Sequence, residues 1–297
     1  MNPEFKSMLD TMRPKQKRTI VVVNAIDPHG LRAVENAHNM GFVDVILCGN
    51  QDDIKTVTET NNIDISNWSI VHCDDELACA KRAVELVHEN RADIIMKGQI
   101  HTADVLRPVL NRESGIRNAD ILSHVSVMHS LTKKRRLFLT DMAMVTYPDL
   151  DKKIQMVKNA VALARSMGVE TPRVAPVCAV ETVNPAMQAT LDAEELRKMN
   201  ERGEITDCLV SGPVGFDIAV SKDAAIAKGI TGPVQGDADV ILFDNIEAGN
   251  NVVKTMVIFG DWIFGGVVIG ARVPVIINSR SDNDISKLFS ICCACNM

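Results

Sequence analysis

Short apolar runs alternate with longer stretches of helical period through the first hundred residues. The runs at 19–23, 43–47, 69–72 and 93–96 are rich in Val and Ile, and too apolar to present one face to water. Such strands are buried on both faces, as in a parallel sheet covered by helices. Between them Leu77, Ala80, Val84 and Val87 fall on one helical face, as a crossover between parallel strands requires. The pattern predicts an α/β fold.

The middle of the chain changes character. Runs at 125–128 and 136–140 flank a polar turn at 130–135, which predicts an antiparallel pair beside the parallel strands. After Pro148 the positions Ile154, Val157, Val161 and Ala164 define a helix closed by Gly168. Asp192 followed by Glu195 has the form of a capping box and predicts a second helix that opens there and closes at Gly203. Further strands are expected over 174–180, 207–210, 240–243 and 273–277, with a last helix after Ser279. No Ser/Gly-rich linker and no repeat marks a domain boundary.

Composition narrows the partners. With 297 residues, 46% hydrophobic and 24% charged, the chain has enough apolar surface to fold and is excluded from the disordered class. The balance of 32 Lys and Arg against 38 Asp and Glu, a net charge of −6, argues against nucleic acid as a partner. The apolar stretch 262–271 contains three glycines and stops at Arg272, well short of the ~20 residues of a membrane helix. Residues 1–18 are polar and lack the apolar core of a secretory signal, so a cytoplasmic protein is expected. The eight cysteines occupy mostly apolar contexts and are expected reduced and buried. Cys292-Cys293-Ala294-Cys295 contains a CxxC, but no second ligand pair accompanies it, and it reads as structural.

Three segments could carry chemistry. In Met96-Lys97-Gly98-Gln99-Ile100-His101-Thr102 an apolar strand ends at Lys97, Gly98 permits close backbone approach, and Thr102 can cap a helix whose free N–H groups would face an anion. Pro108 in that helix implies a late start or a kink, leaving Arg107 near an end, able to reach a ligand or to form a surface ion pair. In Ile277-Asn278-Ser279-Arg280-Ser281-Asp282-Asn283-Asp284 a second buried strand runs into a helix through a hydroxyl, a guanidinium and carboxylates. One of Asp282, Asn283 and Asp284 is expected to cap that helix. The glycines around Ser211-Gly212-Pro213 and Gly236-Asp237-Ala238-Asp239 allow close approach of a ligand, or simply make turns. His124 and His129, five apart on a strand, fall on opposite faces and cannot share a metal ion. The tetrad Lys133-Lys134-Arg135-Arg136 reads either as a solvated turn or as a contact to a polyphosphate cofactor.

Taken in order, these fragments resemble the phosphate acetyltransferase/phosphate butyryltransferase family, and its butyryltransferase branch most. The resemblance runs from about Asp93 to Leu288 through MKGQIHTADVLRPVLN, LFLTDMAM at 137–144, AVETVNP at 179–185, Ser211-Gly212-Pro213, Gly236-Asp237-Ala238-Asp239, Glu247-Ala248-Gly249-Asn250 and Asn278-Ser279-Arg280-Ser281-Asp282. It implies reversible transfer of a short acyl group, butyryl or branched, between coenzyme A and inorganic phosphate, with no metal, no tightly bound cofactor and no covalent enzyme intermediate. Carried over by position, Ser279 stabilises the developing oxyanion, and Arg280, Arg107 and Thr102 bind phosphate. The base is an aspartate matched by Asp282 or Asp284, with the helix start favouring Asp284. The resemblance further implies a two-domain three-layer α/β/α architecture like that of isocitrate and isopropylmalate dehydrogenases. Residues 1–120 and 268–297 would form the first domain and 121–267 the second, in a homodimer or larger homo-oligomer. The rival readings are an acetyl-specific phosphate acetyltransferase and a non-catalytic CoA- or acyl-CoA-binding protein of the same fold.

Overall fold

The computed structural model describes residues 2–279 and 282–297. The chain divides into two compact units, Met1–Leu122 with Ile263–Met297, and Ser123–Trp262.

The first unit begins with helix α1 (Pro3–Thr11), which the polar appearance of the N-terminus conceals. Asn2 caps it and Pro3 starts it, and Phe5 and Leu9 bury its inner face. Then come β1 (Arg18–Val23), α2 (Pro28–Asn39), β2 (Val43–Gly49), α3 (Gln51–Thr60), β3 (Ser69–His72), α4 (Glu76–His88), β4 (Ile94–Lys97) and α5 (Thr102–Val109).

The second unit follows with β5 (Ser123–Ser130), β6 (Arg135–Thr140), α6 (Leu150–Ser166), β7 (Arg173–Pro176), α7 (Gln188–Glu201), β8 (Leu209–Val210), α8 (Phe216–Val220), α9 (Lys222–Ala227), β9 (Val240–Leu242) and α10 (Ile246–Phe259). The chain then returns through β10 (Trp262–Ile269), β11 (Val275–Ile276) and α11 (Asp284–Cys295).

In the first unit the strands run β3-β2-β1-β4-β11-β10, all neighbours parallel except the β10/β11 pair. Ile20 to Val23 and Ile94 to Met96 are each at most 1% exposed. Because successive side chains point to opposite faces, helices must cover both. In the second unit the order is β5-β6-β9-β7-β8, with β5 and β6 antiparallel and the rest parallel. The expected antiparallel pair is therefore present, and the β10/β11 pair adds a second one in the first unit.

Two helix starts differ from the sequence reading. The helix expected to open at Asp192 begins four residues earlier, at Gln188. Asp192 is inside it and buried, and its carboxylate receives the Lys153 ammonium at 2.6 Å. A capping-box pattern is local, and here a partner from α6 claims the carboxylate. Closure at Gly203 holds, with φ +77 after the Arg202 C-cap. At α5 the N-cap position is His101 and Thr102 is the first helical residue, so Thr102 does not cap. Pro108 neither delays nor divides α5, because it falls in the last turn. Among the described residues no helix is long and apolar enough to cross a membrane.

Candidate active site

In the first unit β2 and β3 lie on one side of β1, and β4 and β11 on the other. The order thus reverses between β1 and β4, and open α/β sheets bind ligands at the carboxyl ends of strands beside such a reversal. Val23, the last residue of β1, pairs with Lys97, the last of β4. The turn after β4 folds tightly over the end of β1. Gly98 N–H donates to Val23 O at 2.8 Å, Gln99 N–H to Asn24 O at 2.9 Å, and Asn24 Nδ2 to Gln99 O at 2.6 Å. A Cβ on Gly98 would stand 2.4 Å from Asn24 O and 2.6 Å from Val23 O, so only glycine fits. Asn24 itself is buried with φ +50, a conformation in which asparagine is enriched.

The turn delivers the N-terminus of α5 to this edge. No side chain caps it, and the first-turn N–H groups of Thr102 and its neighbours carry the positive end of the helix dipole. Lys97, 6% exposed, donates from Nζ to Gly98 O at 3.2 Å. Arg107 lies five residues beyond Thr102, about 7.5 Å along the helix axis. Its side chain is 69% exposed and ion-pairs with Asp104 at 3.5 Å. It lines a cavity of about 330 Å³ with Leu77, Lys81, Val84 and Pro108. The surface ion pair is thus realised, and the cavity leaves the guanidinium accessible.

Strand β11 runs beside β4 in the same direction, with Val275 opposite Ile95 and Ile276 opposite Met96. Asn278 and Ser279 therefore emerge at the edge where the β4–α5 turn begins. Asp282 organises this loop: its Oδ2 accepts Ser279 N–H at 2.9 Å and Asn278 Nδ2 at 3.1 Å, while its own N–H donates to Ser279 O at 3.2 Å. Asn283 is the cap of α11, accepting Ser286 N–H at 2.9 Å. Asp284, the first helical residue, has a half-buried carboxylate with no partner among the described residues. Arg280 lies outside the described residues.

The sequence reading gave no role to three groups that build this edge. Asn278 is 6% exposed, and its Oδ1 has no hydrogen-bond partner, which leaves a desolvated acceptor at the end of β11. Lys287 on α11 is 2% exposed and ion-paired to Asp27, whose other oxygen caps α2 through His29 N–H at 3.2 Å. That bridge fixes α11 to the β1–α2 turn. The available signal was positional, since Asn24, Lys97 and Asn278 are each a polar residue where an apolar strand run ends.

A hydroxyl on Ser279, two carboxylates and the N-terminus of α5 thus belong to one end of one sheet, while the Arg107 guanidinium lies in the last turn of α5 beside α4. This set can bind an anion, donate to a developing oxyanion and accept a proton. In the second unit the comparable buried group is Lys153, held between Asp192 and Asp244. Burial alone would lower its pKa, but the hydrogen bonds to the two aspartates prevail and raise it.

Residues 78–295 match the family model described as Phosphate acetyl/butaryl transferase. The phosphate butyryltransferase of Clostridium acetobutylicum is 42% identical over 294 residues, covering 99% of this chain and 98% of that protein. The phosphate acetyltransferase of Thermotoga maritima is 36% identical, covering 97% of each. The crystal structure of a branched-chain phosphotransacylase from Enterococcus faecalis superposes with a TM-score of 0.83 at 32% identity, covering 94% of this chain and 98% of that one. The chain belongs to the phosphate acetyl/butyryl transferase family and is an acyltransferase of the phosphotransacylase type.

Proposed function

We propose that the chain transfers a butyryl or branched short-chain acyl group between coenzyme A and inorganic phosphate, acyl-CoA + phosphate = acyl phosphate + CoA. The observation that carries the acyl preference is the 42% identity, across nearly the whole chain, to a phosphate butyryltransferase. The likeness to a branched-chain phosphotransacylase supports it. CoA enters as a substrate, with no metal and no tightly bound cofactor. The enzyme is cytoplasmic, and each unit has the α/β architecture that the family resemblance implies, the first built from both chain ends.

The CoA thiol has an ordinary pKa of about 8.5, so a base must generate the attacking thiolate at neutral pH. Asp284 takes that role. Asp282 already accepts two hydrogen bonds that shape the loop, whereas the Asp284 carboxylate is uncommitted among the described residues. The thiolate attacks the carbonyl carbon of the acyl phosphate, and Ser279 donates to the oxygen on which charge develops. The C–O bond to phosphate then breaks, and the leaving dianion is received by Arg107, Arg280 and the N-terminus of α5 at Thr102.

Each CH₂ buried is worth about 0.8 kcal/mol, so butyryl over acetyl gains about 1.6 kcal/mol, or roughly fifteenfold in kcat/KM. The testing experiment is phosphate-dependent release of CoA thiol from acetyl-, butyryl-, isobutyryl- and hexanoyl-CoA, with EDTA present throughout. A maximum at butyryl or isobutyryl that ignores the chelator is the expected result. A maximum at acetyl overturns the acyl preference, and loss of turnover in EDTA overturns the metal-free reaction.

The chain also acts as a homo-oligomer. α10 buries only Gly249 and Val253, leaving Val257, Ile258 and Phe259 42%, 69% and 86% exposed. An exposed apolar helix end of this kind is a subunit contact, which we assign to a second copy of the chain.

A further inference from the structure

The cationic tetrad of the β5–β6 turn plays no part in the chemistry above. It stands at the amino ends of strands in the second unit, opposite the carboxyl ends at which such sheets bind substrates. β6 starts at Arg135, β7 starts at Arg173, and Asp239 immediately precedes β9. These starts are laced together, since Asp239 N–H donates to Arg173 O at 2.9 Å and Phe138 N–H to Asp239 O at 2.8 Å. A groove of about 360 Å³ opens here, lined by Lys134, Arg135, Arg136, Lys222, Asp237 and Asp239.

The two carboxylates act on Arg135 and offset the groove's cations only in part, two acids against Lys134, Arg135, Arg136 and Lys222. Asp237 is ion-paired to Arg173 and accepts Gln235 N–H at 2.9 Å. Asp239 accepts Arg173 N–H at 2.8 Å. Arg135 is anchored by donating to Val220 O at 2.6 Å and Ala238 O at 3.2 Å. Burial lowers its pKa, the mark of a partly desolvated cation that an anion would relieve. Lys134 and Lys222 are exposed, with no carboxylate partner among the described residues. The backbone of Gly236 packs closely on that of Lys222, since an added Cβ would stand 2.2 Å from Lys222 N. In a chain of net charge −6, this concentration of cations around a concave, pre-formed surface attracts anions selectively.

We propose that this groove is a second anion site that binds a diphosphate group, separate from the CoA and phosphate turned over in the first unit. A diphosphate matches it better than a single phosphate, because two free ammonium groups on different elements flank the anchored guanidinium of Arg135. The acidic balance of the whole chain excludes a nucleic-acid backbone as the source.

Calorimetric titration of the full-length protein with inorganic pyrophosphate, in saturating CoA to fill the substrate site, tests this. The expected result is one site per chain, weakened about tenfold or more in K134Q/K222Q, as the loss of two partly exposed charge contacts implies. Turnover of butyryl-CoA should stay unchanged in that variant. ADP in place of pyrophosphate distinguishes sources: the same variant-sensitive binding assigns a nucleotide diphosphate, and binding of pyrophosphate alone assigns the free anion. Equal affinity in wild type and K134Q/K222Q, no binding, or displacement by CoA overturns the proposal.

Discussion

Gly98→Ala tests whether the β4–α5 turn positions the phosphate site. The added methyl would meet Asn24 O at 2.4 Å and Val23 O at 2.6 Å, backbone atoms at the buried end of β1 and of the residue that follows it. Side-chain Cβ atoms essentially never approach closer than 3.0 Å, so the turn must retreat by at least the difference from 2.4 Å, about 0.6 Å. Overpacking of this kind costs about 1–3 kcal/mol, which for a chain of this size lowers Tm by about 2–5 °C. The retreat also carries the N-terminus of α5 away from Asn278 and Ser279. A 1 Å misplacement can cost about 10²-fold, so kcat/KM for acyl-CoA should fall on the order of tenfold or more. The assay is phosphate-dependent thiol release, run beside thermal unfolding. Gly232→Ala serves as the control, because no atom lies within 4 Å of its added methyl. Wild-type kcat/KM in a Gly98→Ala protein with unchanged Tm would refute the claim that this close approach sets the site.

Ser279→Ala should lower kcat about 10²-fold if the hydroxyl donates to the oxyanion, and an undiminished rate in a thiol-release assay removes that role. Asp284→Asn should abolish most of kcat with Tm unchanged, while Asp282→Asn should loosen the Ser279 loop, lower Tm and reduce kcat by a smaller factor. Identical kinetic profiles for the two variants would contradict the division of labour. Lys287→Ala leaves the half-buried Asp27 carboxylate without its ammonium partner and should cost about 2–3 kcal/mol, visible as a lowered urea midpoint. A Lys287→Met, Asp27→Asn pair, which keeps the α2 cap and removes the stranded charge, should recover much of that loss, and a double variant no better than the single would refute the account. Phe259→Asp should dissociate the homo-oligomer in light scattering, and an unaltered mass would move the contact away from α10.

β1 and β4 were legible because burial on both faces leaves their inner runs apolar, whereas β3, expected to be buried on both faces, lies at the sheet edge and is only partly covered. What the sequence concealed shares one cause, a local rule overridden by a partner distant in the chain. β10 reads as a glycine-rich stretch. Gly265 is there because a Cβ would press on Phe289 Cδ1 at 2.9 Å, and α11 needs that space. α10 carries Gly249, a poor helix former, because a Cβ would stand 2.4 Å from Asp141 O. Asp192 looks like a cap until Lys153 is brought to it from α6. The same holds at the site: Ser279, Arg107 and the two aspartates could be named from their segments, but Asn24, Lys97 and Asn278 matter only because β1, β4 and β11 end side by side.

That adjacency also explains why the site draws on both ends of the chain. β11 is separated from β4 by about 180 residues, yet it extends the parallel ladder, Val275 on Ile95 and Ile276 on Met96. Parallel register fixes where each strand stops, and therefore the level at which its following loop leaves the sheet. The loop after β4 supplies helix N–H groups, and the loop after β11 supplies the hydroxyl and carboxylates. The Asp27–Lys287 bridge then holds α11 against the turn after β1, so that Asp284 is carried on an element fixed at both its base and its flank. Acyl transfer between CoA and phosphate needs charge placed before the reaction rather than rearranged during it, and a strand edge with three clamped loops provides that pre-organisation. Loosening any one clamp should therefore lower kcat more than it raises KM, because the lost geometry is needed most in the transition state.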